Sequence, residues 1–181
     1  MKWQIDSAHS QILFSVKHMM LAKVRGSFDS FSGEIGFDPA RPGDTVVKVD
    51  VDAASINTRN EQRDTHLRSE DFLAVDRHPQ LSFQSTAIEV LDDERARLMG
   101  KLTIRDVTHD VELDVAHLGQ GTSPWGTTVA GFSASTVLNR REWGLTWNKA
   151  LETGGMLVGD EVKVQIAIEA NKAKPPAPAV Q

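Results

Sequence analysis

Four segments of the chain alternate apolar and polar side chains with period two, and such alternation marks a β-strand with one dry face and one wet face. Residues 11–18 set Ile12, Phe14 and Val16 against Gln11, Ser15 and Lys17, and residues 45–53 set Val47, Val49, Val51 and Ala53 against Lys48, Asp50 and Asp52. Residues 110–117 oppose Val111, Leu113 and Val115 to Asp110, Glu112 and Asp114. Residues 161–170 oppose Val162, Val164, Ile166 and Ile168 to Glu161, Lys163, Gln165 and Glu169. Weaker strands fit between them at 24–37 with a break at Gly33, at 79–91, at 96–105 and at 126–138. Turn chemistry at DPARPGD, DDER, RDVTHD and GTSPWG separates them. The pattern predicts eight antiparallel strands, with room for a short ninth near 143–147, several spanning roughly 30 Å at about 3.3 Å per residue.

Strands with one dry face must bury it, and a sheet closed on itself also loses its edges. An eight-stranded barrel and a two-sheet sandwich both satisfy this. Residues 126–138 tilt the choice, since Gly131, Ser133, Ser135 and Val137 alternate with Ala130, Phe132, Ala134, Thr136 and Leu138. Whichever set faces inward carries small side chains, and small side chains inside a barrel leave space for a ligand.

The chain of 181 residues suits one domain, in which folding buries about 70 % of the unfolded surface. We place that domain at residues 1–170 and read the Pro- and Ala-rich end, 171–181, as a disordered tail. Net charge is -5 and no block of Lys or Arg could track phosphates, which argues against nucleic acid as a partner. There is no cysteine, which removes disulfides, thiolate metal sites and a cysteine nucleophile. Asp6 precedes any apolar run near the start, and nothing approaches 18 consecutive apolar residues. The expectation is a cytoplasmic protein with no secretory signal and no transmembrane helix.

SINTRNEQRDTHLRSEDF, residues 55–72, is dense in charge and shows no apolar stripe. Thr58 and Glu61 have the spacing of a capping box that opens a short helix, and Asp64 and Arg68 stand one turn apart as an ion pair. Ser69 is placed to cap a second short turn before Phe72 and Leu73 anchor the segment. Arg59 and Arg63 have no local acid and are free for a carboxylate elsewhere or for a ligand head group. An enzymatic reading would make Asp64 and His66 an acid and base. Against it, no nucleophile elbow is present, and the six histidines are scattered singly, so no metal site is expected. Four Trp and seven Phe occur without Tyr, and NRREWGLTWN places Trp143 and Trp147 beside Arg140 and Arg141, as core with a cation-π contact or as a pocket mouth. Met19, Met20, Leu21 and Ala22 form a soft apolar loop suited to a dimer contact, a membrane touch or burial.

DSAHSQILFSVKH, VRGSFDSFSGEIGFD, SINTRNEQRDTHLRSEDF, FQSTAIEV, NRREWGLTWN and GGMLVGDEVKVQIAIEA resemble, in order, the successive signatures of the YceI-like family of lipocalin-like polyisoprenoid-binding proteins. The resemblance covers about residues 3–170. It implies an all-β, extended eight-stranded antiparallel lipocalin-like β-barrel with short helical connections at residues 58–73. It also implies a pore for a polyisoprenoid, such as an isoprenoid quinone or its precursor, or for another long-chain amphiphile. A transport or storage role linked to stress response, a homodimer and no enzymatic cofactor go with it; fatty acids and fatty amides are alternative ligands. The family's turn LTIxGVT reads LTIRDVTH here, and Asp106 is expected to keep the turn because Asp tolerates the left-handed conformation. The candidate tail-binding residues are Phe14, Val16, Phe28, Phe83, Leu102, Phe132, Leu138, Trp143 and Trp147, with Arg59, Arg63 and His66 near the head group.

Overall fold

The computed structural model describes residues 1–174; Asn171 and Lys172, expected in the tail, belong to the last strand and pair with Gln4 and Trp3, and the Pro- and Ala-rich end lies outside the described residues. Eleven strands form one antiparallel sheet: β1 (Lys2–Ile5), β2 (Gln11–His18), β3 (Ala22–Phe28), β4 (Phe31–Gly36), β5 (Val46–Asp52), β6 (Ile56–Asn57), β7 (Gln80–Val90), β8 (Arg95–Ile104), β9 (Val107–Thr122), β10 (Thr128–Asn139) and β11 (Val158–Lys172). The helix α1 (Glu61–Arg68) follows β6. β1 and β2 both lie against β11, at Ala170–Lys172 and at Val158–Ala167, so they make one interrupted stave. β4 and β3 lie against that stave in turn, and β5 with β6 against them. The eleven segments are therefore eight staves, and the pairing of β1 with β11 closes the ring. Closure decides between barrel and sandwich.

The interruptions have local causes. Asp6 and Asp52 each cap a 3-10 turn by accepting from the backbone N–H two residues on, at Ala8 and Ala54. The break expected at Gly33 falls instead at Asp29–Ser30, where the Asp29 N–H turns to Ser55 O. Gly33 stays inside β4 because the neighbouring chain leaves no room: a Cβ there would sit 2.6 Å from Lys48 O. No ninth strand forms at 143–147. Asn139 caps a 3-10 turn over Arg140–Trp143, and Gly144 ends it at φ 75°. The turn between β8 and β9 is retained, with both Arg105 (φ 52°) and Asp106 (φ 61°) left-handed, as a two-residue hairpin of this hand requires.

Two apolar clusters fill the barrel towards its ends. Trp3, Ile5, Phe31, Ile35, Phe37, Ala130 and Ala170 pack at the chain-terminal end, where the Trp3 indole donates to Phe37 O at 3.0 Å. Ala53, Ile56, Leu73, Leu81, Ile104, Trp143 and Leu145 pack near α1, and the Trp143 indole donates to Leu102 O. Buried indoles need such an acceptor.

Two inward glycines let phenylalanine rings lie flat on the wall. A Cβ at Gly26 would meet Phe14 Cζ at 2.4 Å, and one at Gly100 would meet the Phe83 ring at 2.4 Å and Gln84 O at 2.7 Å. Gly100→Ala is expected to cost about 1–3 kcal/mol, because the displaced ring and the fixed carbonyl both resist the added methyl. Chemical denaturation of the purified variant measures it, and an unchanged midpoint would show that the ring moves freely.

Candidate functional site

Between the two clusters the barrel encloses a cavity of about 840 Å³, within the size range of small-molecule sites. Its wall is built from the dry faces that period-two alternation defines. β11 contributes Val162, Val164, Ile166 and Ile168, β5 contributes Val47, Val49 and Val51, and β9 contributes Val111, Leu113 and Val115. On β10 the inward set is Phe132, Ala134, Thr136 and Leu138, so the small residues do open space along that stave. The outward faces carry exposed Lys48, Asp110, Glu112, Asp114 and Lys163.

Polarity is confined mainly to one end. Antiparallel alternation brings the β2–β3 turn, residues 58–79, the β8–β9 turn and residues 140–157 to that end. Lys17, His18, Arg63, His66 and Arg140 line the cavity there, with Asn60 and Gln62, and no carboxylate lines the cavity among the described residues. All the candidate residues named from the sequence sit on this wall except Arg59: Phe14, Val16, Phe28, Phe83, Leu102, Phe132, Leu138, Trp143 and Trp147 on the apolar part, Arg63 and His66 at the polar end. Arg59 is exposed and lies away from the cavity. The chain turns through φ 60° at this residue, with its N–H on Asn57 Oδ1, to bring Asn60 to the start of α1.

The polar segment is wired differently from its spacing. Asn60, and not Thr58, caps α1, accepting from the Arg63 N–H at 2.9 Å. Thr58 is buried and gives both its N–H and its hydroxyl to Asp64 Oδ1, at 2.9 and 2.5 Å. Arg63 then donates through Nε to Thr58 Oγ1 and through Nη2 to Thr58 O. The Asp64–Arg68 pair does not form, because burial at Thr58 takes the acid inward, while Arg68 reaches the carbonyls of Ala54 and Ile56 near β6. Residues 69–77 are successive turns rather than a second helix; the Ser69 hydroxyl donates to His66 O and the Phe72 N–H to Ser69 O.

His66 stands edge-on to Trp147 at 4.5 Å and to Phe72 at 5.1 Å, with its Nε2 2.9 Å from Asp71 Oδ2. Its partner is Asp71, and Asp64 is held by Thr58, so the two members of the enzymatic reading serve separate bonds.

Arg140 was missed as a site residue. Its side chain is 4 % exposed and donates to four backbone carbonyls, at Leu145, Trp147, Val158 and Gly159. These bonds, in place of a cation-π contact, hold Trp147 at the polar end. No spacing rule points from an arginine to carbonyls in a later loop. The further apolar lining was legible, since it continues the parity of the candidates on the same strands.

Among the described residues, one group outside the cavity carries metal-ligand chemistry: Asp6, His9 and Glu169 bring ligand atoms within 4.8 Å of one another. His9 Nδ1 already lies 3.0 Å from Asp6 Oδ2 and 3.9 Å from Glu169 Oε1, so His9, when protonated, is the cation of this seam. The hydrogen bond between them lowers the Asp6 pKa and raises that of His9. The stabilisation from His9 is full below 6.5 and is lost as pH rises through its raised folded value; that from Asp6 is full above 3.8 and is lost as pH falls through its lowered one. NMR titration should show His9 above its ordinary range, returning to that range in Asp6→Asn.

The family model of the YceI-like domain matches residues 3–170. A UPF0312 protein of Staphylococcus aureus (strain USA300) is 34% identical over 165 residues, covering 91% of this chain and 94% of that protein. Among solved structures, Burkholderia cenocepacia BcnA superposes with a TM-score of 0.80 at 23% identity, covering 91% of this chain and 98% of that one. The Campylobacter jejuni YCEI protein does so with 0.75 at 30% identity, covering 87% and 90%. A polyisoprenoid binding domain from Saccharophagus degradans, implicated in plant cell wall breakdown, superposes with 0.73 at 11% identity, covering 94% and 98%. A closed eight-stave barrel around an apolar cavity, together with a family match over nearly the whole folded chain, places this protein in the YceI-like domain family.

Proposed function

We propose that the protein is a non-enzymatic carrier or store for a polyisoprenoid or similar long-chain amphiphile, held tail-first in the barrel. The observation that carries this reading is the cavity itself: about 840 Å³ of almost wholly hydrocarbon wall, with cations and amides at one end and no lining carboxylate. Each methylene moved from water to such a wall contributes about 0.8 kcal/mol, so ten buried carbons supply roughly 8 kcal/mol before ordering costs. Tail burial gives affinity with little discrimination. The rim supplies the rest, because Arg63 and the ring edges of His66 and Trp147 suit a head group that accepts hydrogen bonds, such as a quinone carbonyl, a phosphate or a carboxylate. The polyisoprenoid named for the Saccharophagus domain of the same fold agrees in kind. Fatty acids and fatty amides meet the same tail requirement. Catalysis by Asp64 and His66 has no geometric support, since they do not meet.

Organic extraction of the purified protein followed by mass spectrometry should release an elongated amphiphile near stoichiometric amount. Stripped protein should then take up prenyl quinones, fatty acids or fatty amides, and their relative affinities identify the head group. A protein that is empty as purified and takes up none of the three sinks the proposal.

A further inference from the structure

The hairpin joining β2 to β3 carries large apolar side chains that the fold does not use. Leu21 is 91% exposed, Met20 65% and Met19 46%, so burial does not account for them. Turn chemistry does not account for them either. Met19 and Met20 both adopt left-handed backbone, at φ 52° and 60°, where Asn and Gly are the favoured residues. Two long unbranched hydrophobes therefore stand in an unfavourable conformation, pointing away from the core.

The hairpin tip continues into a second apolar edge. The Met19 N–H donates to Leu157 O, Met20 Sδ packs against Gly155, and Met156 is 45% exposed beside it. This ledge stands at the mouth of the cavity, because the residues flanking it, Lys17 and His18 on one side and Leu157 and Val158 on the other, line the cavity. Behind the tip, Lys17 faces Lys23 across the hairpin and Arg25 lies opposite Ser15. Residues 17–25 contain no acid, in a chain of net charge -5. Lys17, Lys23 and Arg25 form no ion pair among the described residues. The acids nearby are Glu152 on the second edge and Asp160 and Glu161 in the groove beside Lys17.

We propose that this tip is a membrane-docking element that seats the mouth of the barrel on an anionic lipid bilayer, so that cargo passes between bilayer and pore without crossing water. The inference rests on the lipid-carrier reading for its purpose, although docking itself does not require a filled pore. Apolar side chains at the apex enter the boundary between head groups and acyl chains, and the three cations behind them meet anionic head groups. Methionine suits this position because its flexible thioether adapts to an irregular apolar surface. Continuity of the ledge with the cavity mouth favours a bilayer over a second copy of the chain, which would close the mouth.

The test compares the full chain with Leu21→Asp and with the double variant Met20→Ser, Leu21→Ser. Binding is read by co-sedimentation with phosphatidylcholine vesicles with and without phosphatidylglycerol, and uptake of a fluorescent prenyl lipid is read from the same vesicles and from detergent. Wild-type protein should bind the anionic vesicles, less well at high salt. Both variants should lose at least about tenfold in vesicle binding and in uptake from vesicles, at unchanged uptake from detergent. Variants that bind and load like wild type overturn the proposal. So does a wild type that ignores anionic vesicles, and a dimer that Leu21→Asp dissociates would then assign the tip to a second copy of the chain. Failure to load from detergent, with vesicle binding retained and lost in the variants, overturns the carrier reading and leaves docking standing.

Discussion

Arg140→Met is expected to lower the stability of the folded protein by about 3–5 kcal/mol, because it leaves several backbone carbonyls without their donor. The wild-type guanidinium is almost wholly buried, and its fork reaches four carbonyls of residues 145–159, of which Val158 O also accepts from the Asn148 side chain. Burial pushes its pKa down from the ordinary arginine value, and Asp160, 3.8 Å away, pushes it back up, while arginine stays charged throughout. Methionine replaces the aliphatic stem but stops short of the guanidinium position and donates nothing. Each stranded carbonyl costs about 1–3 kcal/mol, and water entering at the cavity mouth offsets part of the sum. Arg140→Lys, with one compact ammonium in place of a planar fork, should recover part of the loss. Urea denaturation with unchanged slope measures both. A midpoint equal to wild type in Arg140→Met would mean that the 140–157 segment holds its path without the clamp. Loss of that path would also move Trp147, so head-group discrimination should fall even where the barrel survives.

Ala134→Phe should abolish tail binding while leaving the barrel intact. Ala134 lies midway along β10, paired with Ile166 and Val115, and its methyl lines the cavity. A phenyl group there projects into the cavity, where the open volume of about 840 Å³ limits the overpacking that an added ring causes in a filled core. It divides the pore. If half of a ten-carbon tail is excluded, about five methylenes at about 0.8 kcal/mol each, near 4 kcal/mol in all, are lost, or about a thousandfold in affinity. Titration of stripped protein with a prenyl quinone reads the loss, and thermal unfolding confirms the fold. Binding at wild-type strength in a well-folded variant would place the tail somewhere other than this pore.

The strands were legible because alternation is written residue by residue. β2 falls on Gln11–His18 as expected, and the dry faces of β5, β9 and β11 face the cavity. β9 extends beyond the alternating residues 110–117 to Thr122, and its register with β10 shifts at Gly131/Phe132, a bulge that parity does not announce. The short interruptions escaped too. Asp6 and Asp52 look like ordinary wet-face residues until the chain is seen to turn on them.

The charged residues were the least legible. Spacing on a helix suggested that Asp64 meets Arg68 and that Thr58 meets Glu61, yet Thr58 meets Asp64 and Arg68 meets carbonyls of the preceding chain. Local pairs on an exposed helix contribute only about 0.2–0.5 kcal/mol. A buried acid satisfied by an amide and a hydroxyl outweighs them. Helical spacing therefore predicts side-chain partners only where the helix face stays in water.

The sequence by itself determined an all-β chain, which residues of each strand are dry, and the family to which the chain belongs, because alternation and motif order are local properties. Tertiary structure alone decided that the sheet closes, through the pairing of β1 with β11 at opposite ends of the chain, and that the closed sheet keeps a cavity. It also decided which cations face that cavity and which hold carbonyls. Closure and the satisfaction of buried polar groups depend on contacts between residues far apart in the chain, and no period in the sequence encodes the distance between them.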